Sequence, residues 1–276
     1  MRGLIRLSDY SKQDIFKIFK IADDIIAGDY TNLLQGKTIV LFFPTSSLRT
    51  RITFEKGIHM LGGESILFPP ETLDKRESIQ DVVGYLNNWV DAVIIRHKSI
   101  AVLDAFCKYA EFPIVNAMTD INHPCEVLSD LYALSKQRKD FLKDQYLFCG
   151  AKGNIGLAWK EAADVLNLTL TQCCPKGYEI PELTVHHDLR IAIEGKDVVC
   201  TDALPAEDLQ DFKEYQITQE IMDFANLNAI LNPCPPFFRG EEISADAISS
   251  QYFAGYKFKK HLLEIQQAIL LFSLIH

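Results

Sequence analysis

Short apolar runs recur along the chain, and between them lie longer stretches whose apolar positions return every three or four residues. The continuous runs read as strands and the 3.6-residue period reads as helices. In the first half the strands are predicted at 38–43, 65–68, 92–96 and 113–116, and in the second half at 145–149, 169–173, 197–201 and 229–231. Helical stretches separate them, among them 49–61, 78–88, 101–109 and 155–166. Strand and helix in alternation predict parallel sheets covered by crossover helices. Because the apolar runs do not alternate with polar residues, the strands should be buried on both faces.

The charged stretch 136–143, KQRKDFLK, interrupts this pattern and marks a boundary. The helix before it, 125–135, carries Val127, Leu128, Leu131 and Leu134 at helical spacing and can bridge two halves. A last helix, at 257–274, is amphipathic at its start and apolar at its end. The predicted fold is α/β: two doubly wound parallel-sheet domains with a cleft between them, and ligands at strand C-termini. One domain takes 1–135 plus 256–276 and the other 136–255; a length of 276 residues is large for a single core.

Composition narrows the function. Hydrophobic residues at 48% and charged residues at 24% are ordinary for a soluble globular protein. A net charge of −9 provides no basic field for nucleic acid or an anionic membrane, so an anionic ligand needs a local positive cluster. The opening MRGLIR is not a signal peptide, and the apolar run 268–275 is too short to span a bilayer. Seven scattered cysteines without a CxxC pair predict reduced thiols in a cytoplasmic protein and no metal site; no cofactor is expected.

The most informative segment is Phe42-Phe43-Pro44-Thr45-Ser46-Ser47-Leu48-Arg49-Thr50-Arg51. A strand ends, small hydroxyl residues follow, and a helix begins. Free N–H groups and the positive end of the dipole make such a helix start an anion site. Ser47 is suited to cap the helix or bind an anion, Arg49 to supply a fork, and Thr50 to add a hydroxyl. Arg51 is placed to pair with Glu55, four residues on. An isolated Ser-x-Arg is usually no more than a capped helix with a solvated arginine.

SSLRTR resembles the carbamoyl-phosphate loop of the aspartate/ornithine carbamoyltransferase family, whose usual pattern is Ser-Thr-Arg-Thr-Arg. The resemblance implies that Ser47, Arg49 and Thr50 bind the phosphate. Leu48 departs from the pattern but retains its backbone N–H, and a leucine here is similar to the members that use N-acetyl- or N-succinylornithine. Further matches follow in order. Asp91-Ala92-Val93-Ile94-Ile95-Arg96-His97 resembles the family strand that ends in an arginine contacting carbamoyl phosphate. Leu73-Asp74-Lys75-Arg76-Glu77-Ser78 resembles the mobile loop that reaches a neighbouring subunit's site in a homotrimer, which gives Lys75 a place over the phosphate. Asn116-Ala117-Met118-Thr119-Asp120-Ile121-Asn122-His123-Pro124-Cys125-Glu126 resembles the His-Pro-x-Gln stretch, which gives His123 the carbamoyl carbonyl. Glu126 stands where the family has glutamine. A carboxylate accepts from the carbamoyl NH2 but cannot donate, and its charge opposes phosphate.

The second half resembles the family more loosely. Cys149-Gly150-Ala151-Lys152-Gly153-Asn154-Ile155-Gly156 follows a strand and opens a helix; the resemblance places Asn154 near the acceptor's amino-acid end. As a dinucleotide loop it is a weak pattern, and a nicotinamide enzyme would have to bind NAD there. Pro175-Lys176-Gly177-Tyr178-Glu179 resembles a structural loop of the ornithine branch. Thr201-Asp202-Ala203-Leu204-Pro205-Ala206 keeps that branch's aspartate, Asp202, but lacks the Ser-Met-Gly that holds a free α-amino group. Asn232-Pro233-Cys234-Pro235-Pro236 stands where the branch has His-Cys-Leu-Pro, so Cys234 and Pro235 become acceptor candidates, although a buried neutral cysteine competes with that role. A late arginine is not evident; Lys259, Lys260 and His261 lie near its place.

The resemblance therefore implies a carbamoyltransferase of arginine biosynthesis, with Arg96, His123 and Thr50 catalytic and a homotrimer sharing its sites. N-acylornithine is the first acceptor expected, because an acylated amine needs no Ser-Met-Gly loop, and ornithine the second. Glu126 and the lost loop also allow a different class: a paralogue that binds ligand without turnover.

Overall fold

The computed structural model describes residues 3–30 and 32–275 and divides the chain into two units. One comprises the residues up to Ala133 and those from Lys260 onward; the other runs from Leu134 to Lys259.

The first unit opens with α1 (Lys12–Ala27), which the predicted helices above do not include. Its boundaries are local chemistry. The Ser11 hydroxyl accepts from Asp14 N, the Asp14 carboxylate accepts from Ser11 N, and Gly28 ends the helix at φ 87°. Then β1 (Thr38–Phe42), α2 (Arg49–Met60), β2 (Glu64–Phe68), α3 (Ile79–Leu86), β3 (Ala92–Arg96), α4 (Ile100–Tyr109), β4 (Ile114–Met118) and α5 (Pro124–Gln137) follow. The four strands form a parallel sheet in the order β2-β1-β3-β4. Val40, Phe42, Val93 and Ile95 pack with Val83, Leu103 and Phe106 on one face. Full burial of a side chain such as Phe106 contributes on the order of 1.5–3 kcal/mol. β2 departs from the expected two-sided burial: Ile66 is 45% and Phe68 40% exposed. As an edge strand it has a neighbour on one side only.

The division of the chain falls within α5. Beyond it, the charged stretch 136–143 is no solvated linker. Arg138 is bonded to the Asp144 carboxylate, lies 3.4 Å from Asp197 Oδ1, and donates to the Asn228 carbonyl at 2.9 Å. The second unit then runs through β5 (Gln145–Cys149), α6 (Asn154–Leu166), β6 (Thr169–Cys173), β7 (Thr184–His186), α7 (Leu189–Ile193), β8 (Val198–Thr201), α8 (Gln219–Met222), β9 (Ile230–Pro233) and α9 (Ala245–Ser249). Its parallel sheet has the order β7-β6-β5-β8-β9. β7 escaped sequence analysis because it is a three-residue edge strand with no apolar run. Leu147, Val199, Leu231, Ile193, Ile217, Met222 and Ile243 fill one core face.

The chain returns to the first unit with α10 (Leu262–Ile275). The single helix expected over 257–274 is two elements, because Phe258–His261 is a 3-10 turn. At Gly57 a Cβ would stand 2.9 Å from Gln267 Cγ, so glycine is what lets α2 approach α10, and Gln267 Nε2 donates to the Gly57 carbonyl at 3.0 Å.

Both sheets contain a point where the strand order reverses. From β1 the chain winds to β2 on one side, and β3 lies on the other; from β5 it winds to β6 and β7, and β8 lies opposite. Crossovers leave in opposite directions at such a point and open a crevice at the strand C-termini. The two points are β1/β3 and β5/β8. No helix among the described residues is long and apolar enough to cross a membrane.

Candidate active site

Two candidate residues of the first half, Ser47 and Arg96, meet at the β1/β3 point. β1 ends at Phe42, a turn closes with Ser47 N donating to the Pro44 carbonyl at 3.0 Å, and α2 starts at Arg49. Sequence analysis offered Ser47 as a cap for this helix. The structure corrects that: the residue before the helix is Leu48, and it caps nothing with its side chain. Ser47 is buried instead, and its hydroxyl accepts a bond of 3.1 Å from Arg96 Nη1. The cause is strand order. Phe42 and Ile95 are register partners, so the residue that ends β3 meets the turn that leaves β1. The start of α2 is thus left without a side-chain cap, with its first N–H groups directed out of the helix. Thr50 is buried on the first turn, while Leu48 (63% exposed) and Arg49 are at the surface. Arg51 Nε donates to Glu55 Oε1 at 2.7 Å, the pairing expected from their spacing.

β4 supplies the next group. Its end is fixed to β3 by His97 N donating to Met118 O at 3.1 Å and Asp120 N donating to Lys98 O at 3.0 Å. A turn with Thr119 N donating to Asn122 O at 2.8 Å then delivers His123 to the start of α5, where both His123 and Glu126 are buried. Burial, followed by the nearby Glu126 charge, pushes the Cys125 thiol well above its ordinary value, so Cys125 is a neutral packing residue. Lys75 is exposed, one residue beyond the 3-10 turn Pro70–Asp74. Sequence analysis quoted Asn116, Thr119, Asn122 and His97 without giving them a role. All four are buried, and Asn116 Nδ2 holds the N-terminal segment through Ile5 O at 2.9 Å. A polar residue within or directly after an apolar strand is the signal that would have found Asn116, Thr119 and His97.

In the second unit, Asn154 and Asp202 leave the C-termini of β5 and β8, again at the reversal point. A Cβ on Gly153 would stand 4.0 Å from Asp202 Oδ2, which places that carboxylate beside the start of α6. Asp202 Oδ1 accepts from Ala203 N at 3.0 Å. Cys234 N donates to Thr201 O at 3.0 Å, which brings buried Cys234 and half-buried Pro235 to the same edge of the sheet. The last glycine of the run that resembled a dinucleotide loop has a packing cause. A Cβ on Gly156 would lie 2.6 Å from Phe148 Cε1 and 2.7 Å from Ile180 Cδ1, so only glycine lets α6 seat on β5.

The Pro175–Glu179 segment is structural, and buried Gln172 shows how. Its amide donates to the carbonyls of Gly150 (2.9 Å) and Tyr178 (3.0 Å), and its Oε1 accepts from Ile180 N at 2.7 Å. The Tyr178 hydroxyl reaches Asp208 Oδ1 at 2.9 Å and Asp211 Oδ2 at 2.8 Å, across the segment that stands in place of Ser-Met-Gly. Those carboxylates, Asp211 first, hold its phenol above the ordinary tyrosine value. Lys259 lies 6.0 Å from the Phe258 ring centre. His261 packs edge-on against Tyr132 at 5.1 Å and lies 3.5 Å from Glu264, while Tyr132 donates to Asp23 at 2.7 Å. His261 is therefore engaged in the helical packing of the first unit. Cys107 is exposed and the other six cysteines are buried and free; no group of three metal-ligating side chains occurs among the described residues.

Comparison with known proteins gives a consistent result. Residues 2–136 match the family model for the aspartate/ornithine carbamoyltransferase carbamoyl-P binding domain, and residues 143–273 match the model for the Asp/Orn binding domain. Over an alignment of 297 positions the chain is 31% identical to an ornithine carbamoyltransferase of Methanosphaera stadtmanae, covering 98% of each chain. It is 30% identical to one of Methylococcus capsulatus, covering 99% and 98%. Among solved structures, the Pyrococcus furiosus ornithine carbamoyltransferase superposes with a TM-score of 0.93 at 26% identity, covering 99% of this chain and 97% of that one. The Burkholderia thailandensis enzyme superposes with a TM-score of 0.91 at 26% identity, covering 100% and 99%.

Proposed function

Because the chain belongs to the aspartate/ornithine carbamoyltransferase family, we propose that it carbamoylates the side-chain amine of ornithine, with carbamoyl phosphate as donor. It is a carbamoyltransferase; the acceptor, the residue roles and the assembly are the parts proposed here. The observation that carries the reading is the 3.1 Å bond from Arg96 to Ser47, which joins the end of β3 to a helix start that no side chain caps. The names of the relatives support ornithine as acceptor. N-acylornithine is the second reading, favoured by the Leu204-Pro205-Ala206 sequence where a free α-amine would need Ser-Met-Gly.

The amine lone pair attacks the carbonyl carbon, the C–N bond forms, and negative charge grows on the carbonyl oxygen. The bond from carbon to the phosphate oxygen then breaks, and the departing phosphate takes the proton lost by the amine. Donors fixed at those atoms stabilise the transition state more than the ground state. Arg96, Thr50 and His123 serve the carbonyl oxygen. Ser47, Arg49 and the N–H groups around Leu48 serve the phosphate, where helix start and guanidinium act together. Lys75 closes over the phosphate, from a neighbouring copy in a homotrimer. Glu126 accepts from the carbamoyl NH2. Asn154, Asp202, Cys234 and Pro235 border the acceptor. The protein works in the cytoplasm.

The test is product formation from carbamoyl phosphate with ornithine, N-acetylornithine, N-succinylornithine, aspartate and putrescine. Citrulline from ornithine is the expected result, and turnover only of an acylated ornithine moves the acceptor to the second reading. A carbamoyl-phosphate rise in melting temperature without any carbamoylated amine overturns the activity. Arg49→Ala should lose that rise, and light scattering should give the mass of three chains.

A further inference from the structure

We infer that His97 and Asp74 are positioning residues that hold the Lys75 segment in its anion-binding form. His97 is buried directly after Arg96, and its backbone is fixed to β4 through Met118 O. Its ring is oriented from both sides. Ser99 N lies 3.0 Å from Nδ1, and Ser99 O lies 3.4 Å from the same atom. A backbone N–H can only donate, and its contact is the shorter, so Nδ1 accepts. The ring proton therefore sits on Nε2, which donates to Asp74 Oδ1 at 3.0 Å. That tautomer aims a donor at the Asp74 carboxylate.

Asp74 is the last residue of the 3-10 turn, and Lys75 follows it. On the inner side, buried Leu73 locks the turn into the sheet core. On the outer side, Ser78 is fixed as the cap of α3, accepting from Asp81 N at 3.1 Å and donating to Asp81 Oδ2 at 2.7 Å. Only Lys75, Arg76 and Glu77 lie between these anchors, and all three are exposed. A strap of three residues pinned at both ends loses little further entropy when it closes on an anion. Untethering Asp74 transfers that ordering cost to the binding step. Of the two anchors, Asp74 is the one that ties the strap to the strand carrying Arg96.

The tether bears on catalysis only if Lys75 serves the donor as proposed above, and the experiment separates the two. Wild type, Asp74→Ala and Asp74→Asn are titrated with carbamoyl phosphate in the absence of acceptor, and their melting temperatures are compared. Asn retains an oxygen that accepts from Nε2, whereas Ala does not. Loss of a hydrogen bond to a partly exposed carboxylate should weaken donor binding roughly three- to tenfold in Asp74→Ala, with Asp74→Asn restoring most of it. In steady state, the carbamoyl-phosphate KM should rise in Asp74→Ala while the acceptor KM stays unchanged. Equal donor affinity in all three proteins overturns the tether and leaves the proposed function standing. A wild type that binds no carbamoyl phosphate overturns the proposed function and the tether with it. A uniform fall in both KM affinities and melting temperature, not rescued by Asn, makes the contact purely structural and also refutes it.

Discussion

Replacing Ser47 with alanine removes one oxygen from the point where β1 and β3 part. That oxygen accepts from Arg96 Nη1 at 3.1 Å and lies on a residue only 4% exposed. The same hydroxyl can donate to a bound phosphate, and a hydrogen bond to a charged group contributes about 1.5–3 kcal/mol. Leu48 and Arg49 beside it are exposed, so water re-solvates part of the site and the lower half of that range applies. The hydroxyl is free to donate to a phosphate oxygen while it accepts from Arg96, so its loss acts on the liganded state more than on the empty one. At 1.4 kcal/mol per factor of ten, carbamoyl phosphate should bind about 10- to 40-fold more weakly to Ser47→Ala. Arg96 keeps other interactions, so the melting temperature should change little. Isothermal titration of both proteins with the donor, alongside thermal melts, measures the two quantities together. A dissociation constant within twofold of wild type would refute the placement of the donor at this turn.

Glu126→Gln keeps an oxygen that accepts from the carbamoyl NH2 while taking a buried carboxylate away from the proposed dianion site, and should tighten carbamoyl-phosphate binding. It should also cost about 0.3–1 kcal/mol of stability at the start of α5. Weaker binding in the titration would show that the carboxylate itself holds the donor. Tyr178→Phe should speed amide exchange across residues 203–211 and raise the acceptor KM, leaving the donor KM alone, because the hydroxyl spans Asp208 and Asp211. Unchanged exchange in that segment would count against it. Glu242 is buried, with Oε1 accepting from Phe238 N at 2.8 Å, and burial raises its carboxyl above the ordinary value. The folded state then holds its proton more tightly than the unfolded one. Its stabilising contribution is full below the unfolded value and is lost as pH rises through the folded one. Glu242→Gln should therefore melt higher than wild type at pH 7–8, with the gap closing as the pH falls toward the ordinary carboxylate value. A constant gap across that range would contradict the assignment.

The strand positions 92–96, 145–149 and 169–173 were legible in the chain because strand and helix periods are local properties. The same holds for the helix start after Ser47 and the Arg51–Glu55 pair, each determined by residues a few positions apart. α1 was equally local, since its cap signals at Ser11, Asp14 and Gly28 stand in the sequence. What lay beyond reach depends on which strands become neighbours. Ser47 meets Arg96 across 49 positions because β3 lies beside β1, and His97 meets Asp74 across 23. β2 reads as an apolar run yet is exposed, since hydrophobicity alone does not tell an edge strand from a central one. The sequence by itself determined the elements that carry a clear period and the residue types at their ends. Tertiary structure alone decided which of those ends share a hydrogen bond, because partner choice follows from strand order, and strand order is a minimum over the whole core.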